Sequence, residues 1–269
     1  MYFITLCRQM GAKGTDIEKL VAKELHYNFY DTEDVEKKAK ELGFLDDIRE
    51  VDDKPPSLFK QIFSRQPEFW LDRLSTVIYD LTRRGSAVLL GRGGNMLLRS
   101  IPQALHVRVI ASKETRIKNL LERGYKRKDA VSFMVKSDYE RSSFLWFAFR
   151  QDWYDPELYD LVLNMDSLTV GAAVDMILCA ARLRESQYRR NEISSLDLLE
   201  LASRVSVALT KSGFPAGYVS PLVNAPGKVR LTGVVQIHRE KLAAELTALK
   251  VEGIESVENE IQIAGRHGI

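Results

Sequence analysis

Apolar positions along the chain arrive as unbroken runs separated by helical stripes, and that alternation sets the expected elements. Residues 3–7 read as a strand covered on both faces. The turn Gly11-Ala12-Lys13-Gly14 follows, and Ile17, Leu20, Val21 and Leu25 then recur at helical spacing. Thr15 and Glu18 have the spacing of a capping box, which predicts Thr15 as the N-cap of that helix. Phe29-Tyr30 predicts a short strand, with a polar helix after Asp31-Thr32. Residues 45–56, acidic and closed by Pro55-Pro56, predict a mobile surface loop. A helix over residues 68–84 gathers Trp70, Leu71, Leu74, Val77, Ile78 and Leu81 on one side. Residues 87–90, 104–110 and 161–163 are further apolar strands; a charged helix with Arg116, Lys118 and Arg123 follows the second, and a helix over 170–183 the third.

Strand, glycine turn and helix in that order open a parallel sheet. Residues 1–188 are therefore expected to form an α/β domain, a doubly wound parallel sheet with helices on both faces. The arginine-rich stretch 184–195 marks a boundary, and the pattern then changes. A helix over 196–209, strands around 229–235, a helix over 239–249 and alternating apolar residues over 254–263 give the order αββαβ. That order predicts a small α+β domain over residues 196–265 with antiparallel pairing.

Composition narrows the classes. With 45% hydrophobic and 28% charged residues, 269 positions leave ample apolar mass for such cores. A formal net charge of +2 carries no bulk field, so no nucleic-acid partner is expected. Cys7 and Cys179 stand far apart without a CxxC pattern, and His26, His106, His238 and His267 lack metal-ligand spacing. No run approaches the roughly 20 apolar residues of a membrane span. The expectation is a cytoplasmic, non-transmembrane chain.

The glycine turn between a strand and a helix suits an anion, because backbone N–H groups and the helix dipole converge there. A full phosphate loop, or P-loop, reads G-x-x-x-x-G-K-[ST]. Here the window is Cys7-Arg8-Gln9-Met10-Gly11-Ala12-Lys13-Gly14-Thr15, with Cys7 and Ala12 in place of the signature glycines. Two readings stay open on these residues alone: a phosphate cradle, or a plain turn with a capping threonine and a solvated lysine.

Further segments, in matching order, resemble cytidylate kinases: Phe29-Tyr30-Asp31-Thr32, Leu89-Leu90-Gly91-Arg92-Gly93, and residues 107–123 with Arg116 and Arg123. The resemblance is closer to the cytidylate kinase-like family, through Arg8-Gln9-Met10-Gly11, the lid pattern Lys136-Ser137-Asp138-Tyr139-Glu140-Arg141, and a D-W-x-D-P-x-x-Y-D stretch over 152–160. It covers residues 1–183 and implies a P-loop nucleoside monophosphate kinase fold, with ATP- and Mg²⁺-dependent phosphoryl transfer to a nucleoside monophosphate. It implies that Arg8, Gly11, Ala12, Lys13, Gly14, Thr15 and Asp16 surround the ATP phosphates, with Arg123 alongside and Thr15 on Mg²⁺. Asp31 and Arg92 would hold the acceptor. Lys13, Arg116 and Arg141 would act at the transferred group, and Lys136, Asp138 and Arg141 would form the lid. Residues 113–150 carry ten Lys/Arg against five Asp/Glu, the sign a closing lid needs.

Two departures leave choices open. Anchored on Asp31-Thr32, the first helix is one residue longer than in cytidylate kinases, which shifts Gly14 onto the lysine position and Asp16 onto the hydroxyl position. Gly93 replaces the acidic residue that follows the Gly-Arg pair, so cytosine is not fixed and the acceptor stays open between a nucleotide and a different small alcohol or phosphate. Residues 196–265 resemble a BON domain through Val205-x-x-Ala208-Leu209, Gly227-Lys228-Val229-Arg230-Leu231-Thr232-Gly233 and Gly253-Ile254-Glu255-Ser256-Val257-Glu258-Asn259. That resemblance implies an interaction module with a protein or phospholipid partner. The rival to the phosphotransferase is therefore a nucleotide-binding sensor or scaffold that keeps the fold and lacks transfer chemistry.

Overall fold

The computed structural model describes residues 2–45, 67–83, 85–188, 195–215 and 217–264. The loop expected over 45–56 lies, beyond Leu45, outside them, as do residues 189–194 of the expected boundary.

The first sheet has five parallel strands in the order β2-β3-β1-β4-β5: β1 (Phe3–Arg8), β2 (Asn28–Tyr30), β3 (Ala87–Leu90), β4 (Ala104–Ile110) and β5 (Leu161–Asn164). Phe3 of the central strand faces Ala87 on one side and Ala104 on the other. Strand side chains alternate between faces, so β1 serves two cores at once. Phe3 packs with Leu89 against α2 (Thr32–Glu41) and α3 (Pro67–Thr82). Ile4 and Leu6 pack with Val107 against α1 (Gly14–Leu25) and α7 (Val170–Gln187). Both faces being covered explains why the strand runs lack polar alternation. Among the described residues the domain also contains α4 (Gly94–Leu97), α5 (Lys113–Glu122) and the long α6 (Arg127–Phe149).

Helix α1 corrects the expectation that Thr15 caps it. The N-cap is Lys13, in the left-handed region at φ 61°, and the helix begins at Gly14. A Cβ at residue 14 would lie 2.6 Å from the Cβ of Arg8, so only glycine allows the helix to start pressed against the end of β1. Thr15 is thereby drawn inside the first turn, and Glu18 is fully buried instead of reaching back to a backbone amide.

The second sheet contains β6 (Val219–Ala225), β7 (Gly227–Val235), β8 (Ile254–Asn259) and β9 (Gln262–Ile263), with α8 (Ser195–Lys211) and α9 (His238–Leu249) against one face. The αββαβ order holds, but the pairing is mixed. β6 and β7 are antiparallel, whereas β8 and β9 lie parallel to β7. The helix α9 between them returns the chain to the starting end of β7, and a crossover of that kind makes parallel neighbours.

Helix α8 is shared between the two layers. Leu196 and Val207 belong to the core under α3, while Leu201, Val205 and Leu209 belong to the second sheet's core. A polar seam accompanies the apolar contact: the Thr76 and Ser203 hydroxyls meet at 2.5 Å, and Arg83 lies 3.7 Å from the buried Glu200.

Candidate active site

The glycine turn is held from outside by α5 and α6. Gly11 has φ +89°, and a Cβ there would come within 2.7 Å of the Arg116 carbonyl oxygen. The Met10 carbonyl accepts from Arg116 Nε at 2.8 Å, and the Gly11 carbonyl accepts from Asn119 Nδ2 at 2.8 Å. Met10 N–H donates to Asp138 Oδ1 at 3.0 Å, and the same carboxylate forms a buried pair with Arg116. The loop is thus fixed by side chains that the sequence resemblance assigned to the transferred phosphoryl and the lid. At its outer edge Lys13 Nζ lies 3.8 Å from Glu122, and Arg123 donates to Asp16 at 2.7 Å. These pairs are solvent-exposed and contribute little to stability. Among the described residues the first amides of α1, those of Gly14 and Thr15, make no backbone hydrogen bond, as befits a helix start.

Beside the turn lies a cavity of about 310 Å³ at the carboxyl ends of β1 and β3, the edge where open α/β sheets bind ligands. Arg8, Arg92 and Arg141 reach it from β1, the β3–α4 corner and α6. The corner is unusual. Gly91, Arg92 and Gly93 have φ of +68°, +54° and +66°, so an arginine occupies the left-handed region between two glycines. For a residue with a Cβ that costs about 1 kcal/mol, a strain typical of ligand-facing positions. A Cβ at Gly93 would lie 2.7 Å from Phe149 Cε2, so an acidic side chain there would have to displace the end of α6.

Electrostatics around the cavity follow from burial. The Arg141 guanidinium is pushed down to about 10 by burial and by the like charge of Arg8. The Cys7 thiol on the cavity wall is pushed up to about 11 by burial and donates to Asn95, which leaves it a poor nucleophile. Arg108, in the middle of β4, is buried 4.4 Å from the Trp153 ring, with Nη1 on the Tyr159 hydroxyl at 3.2 Å. It supports the aromatic wall from behind.

The sequence-derived residues separate into groups. Arg8, Arg92 and Arg141 meet at the cavity. Gly11, Ala12, Lys13, Gly14, Thr15 and Asp16 form the turn and the start of α1. Arg116 and Asp138 lock that turn. Asp31 caps α2, accepting from Glu33 N–H at 2.8 Å and Asp34 N–H at 3.3 Å, and its neighbours Thr32 and Glu36 line the cavity. The Lys136 ammonium is exposed and lies 3.8 Å from Glu140. Glu140 and Trp153 belong to motifs that carried the resemblance, without a role assigned to them; Glu36 and Arg108 were missed. Of those two, Arg108 carried a signal, as a charge inside an apolar strand.

Among the described residues no group of three or more His, Cys, Asp or Glu side chains could hold a metal. Mg²⁺ at a phosphate site takes one or two protein ligands and completes its shell with phosphate oxygens and water. Thr15 at the start of α1, with Asp16 beside it, is a donor set that fits such a shared shell.

The cytidylate kinase-like family matches residues 3–167. No curated protein matches the chain. Among solved structures, an uncharacterized protein from Eubacterium ventriosum ATCC 27560 is similar at 22% identity and a TM-score of 0.52, covering 68% of this chain and 99% of that one. That likeness shows a shared fold. Shikimate kinase from Bacteroides thetaiotaomicron is similar at 12% identity, TM-score 0.39, over 67% of this chain and 98% of that one. A gluconokinase from Sinorhizobium meliloti 1021 is similar at 14% identity, TM-score 0.41, over 71% and 98%.

Proposed function

The chain belongs to the cytidylate kinase-like family, and from that premise we propose that it transfers a phosphoryl group from ATP to a nucleoside monophosphate. The observation that carries this reading is the meeting of Arg8, Arg92 and Arg141 on one cavity beside the glycine turn. Phosphoryl transfer asks a protein for alignment and charge neutralisation more than for covalent chemistry. Guanidinium groups suit that work because they stay charged and bond phosphate in pairs. In this reading the amides of Gly14 and Thr15, with Lys13, receive the ATP phosphates, and Arg92 receives the acceptor phosphate. Arg8 and Arg141 lie between the two. Mg²⁺, held by the Thr15 hydroxyl and phosphate oxygens, supplies charge neutralisation when bound.

The rival reading, a nucleotide-binding sensor or scaffold without transfer, is favoured by one specific observation. Arg116 is consumed by Asp138 and the Met10 carbonyl, and Lys13 lies toward Glu122. We assign residues 1–188 to the kinase-like domain and residues 196–265 to a BON-like interaction domain with a protein or phospholipid partner. We also propose a cytoplasmic location for the chain. Among the described residues no helix is long and apolar enough to cross a membrane.

A coupled ADP-release assay over a panel of nucleoside monophosphates, beside ATP binding by calorimetry, tests the proposal. Turnover with one of them supports transfer. Binding without turnover selects the sensor, and absence of both removes the two nucleotide readings together.

A further inference from the structure

Helix α6 turns its other face to a second cavity, which the proposed function leaves without a task. Glu140, Arg141 and Phe144 line the arginine cavity. At about 3.6 residues per turn, Tyr139, Ser142 and Trp146 fall on the opposite side of the helix, and they line a cavity of about 380 Å³. Asp152 and Tyr154, from the segment that follows α6, line it too. Tyr139 lies in the pattern Lys136–Arg141 and Asp152 opens the stretch 152–160, yet neither has a part in phosphoryl transfer as proposed. Tyr139 and Trp146 are 57% and 52% exposed, and among the described residues neither ring stacks on another ring or on a cation. Arg108 already lies 5.2 Å from the Tyr154 ring, which leaves Tyr139 and Trp146 as the rings open to a ligand.

The chemistry of this lining has one sign. Aromatic faces carry negative potential. The Asp152 carboxylate accepts the Tyr154 N–H at 2.9 Å and has no ion-pair partner among the described residues. Among those residues no Lys, Arg or His lines the cavity. Its complement is therefore a cation. A metal ion or a primary ammonium would need oxygen ligands in place of its water, and one carboxylate does not supply them. A large, weakly hydrated organic cation asks only for ring faces and a nearby negative charge. Tyr139 and Trp146 stand two turns apart, about 10 Å along the helix axis. A cation between them can lie within about 6 Å of both ring centroids, the range of a cation–π contact. We propose that this cavity binds a trimethylammonium group, its methyls against Tyr139 and Trp146 and its charge beside Asp152. The group can belong to a free compound of the choline class or to a phosphatidylcholine headgroup.

The test is choline binding to the full chain by calorimetry, beside the neutral isostere that carries tert-butyl in place of trimethylammonium. Choline should bind about tenfold or more tightly than the isostere, which has the same shape without the charge. Trp146→Leu and Tyr139→Leu keep apolar area without the ring and should each weaken choline about threefold. Asp152→Asn keeps an acceptor for the Tyr154 amide and should weaken it by a similar factor, about threefold. Sedimentation with phosphatidylcholine vesicles separates the sources: retention that Trp146→Leu abolishes assigns the headgroup, and choline binding without retention assigns a free compound. Equal binding of choline and the isostere makes the cavity a plain apolar groove and overturns the proposal. Absence of choline binding at about 10 mM, beyond a millimolar Kd, overturns it as well. Adenosine bound in place of choline would make the rings a platform for a base, with the same consequence. None of these outcomes involves the arginine cavity, so the nucleotide reading stands or falls separately.

Discussion

Asp138→Asn is the most informative single perturbation outside the cavity. Asp138 is 8% exposed, accepts from the Met10 amide at 3.0 Å and pairs with Arg116, itself 7% exposed. An asparagine keeps an acceptor for the amide but leaves the Arg116 charge buried without a counter-charge. Removing one member of a buried pair costs about 3–5 kcal/mol. Arg116 keeps its bond to the Met10 carbonyl at 2.8 Å, so the lower end, about 3 kcal/mol, is expected. Against a total stability of about 5–15 kcal/mol that is a large loss. Urea unfolding followed by circular dichroism measures it directly. The double variant Arg116→Met with Asp138→Leu should recover only the part due to the stranded charge, because the Met10 amide and carbonyl then lose both side-chain partners. Hydrogen exchange at Met10 should quicken in Asp138→Asn, since its acceptor is weakened. A cost below about 1 kcal/mol, the size of an exposed pair, would refute the claim that this ion pair anchors the turn.

Three other outcomes are expected. Arg92→Ala should weaken acceptor binding about tenfold or more while changing ATP binding less, as loss of a charge-assisted phosphate contact requires; equal loss of both in calorimetry would take Arg92 off the acceptor side. His106 is buried with Nδ1 2.8 Å from the Thr5 hydroxyl, and burial pushes it down to about 4 from 6.5. The unfolded chain then binds a proton that the native state refuses, so stability is full above about pH 6.5 and falls by up to roughly 3 kcal/mol as pH drops toward 4. Urea midpoints should trace that slope in wild type and lose much of it in His106→Asn. A chain ending at Tyr188 strips Leu196 and Val207 from the core under α3, which should cost about 3–5 kcal/mol at ordinary burial values; an unchanged melting temperature would show that the first 188 residues fold unaided.

Strand positions were legible because burial on both faces leaves an uninterrupted apolar run: residues 104–110 were expected as a strand, and β4 is Ala104–Ile110. The start of α1 was not, because it is decided by a contact between Gly14 and Arg8 that no local pattern records. The pairing sense of β8 was missed for a related reason, since it depends on where α9 returns the chain. At the candidate site, the resemblance named Arg8, Arg92, Arg116, Arg123 and Arg141 as a set without separating their surroundings. Which of them face the cavity and which hold backbone is a matter of partners far apart in sequence, such as Arg116 with Met10. Asp31 shows the same limit: its cap on α2, shared with Asp34, depends on local geometry that the sequence reading did not consider.

The division of labour among the arginines constrains how α6 can act. Asp138 and Arg141 stand one turn apart on it, and Asp138 is bonded to the fixed turn through Met10 and Arg116. A lid motion that swung this part of α6 would break a buried ion pair and an amide bond together, so Arg141 keeps its place and its side of the cavity is preformed. The freer part is the corner before it. Gly124, at φ +89°, has nothing within 4 Å of its Cβ position, and residues 126–129 are exposed. Those residues include Lys126, Arg127 and Lys128. Under the proposed function, any closure over a polyphosphate would have to come from this exposed cationic corner, since the part of α6 that carries Arg141 is tied to the turn through Asp138.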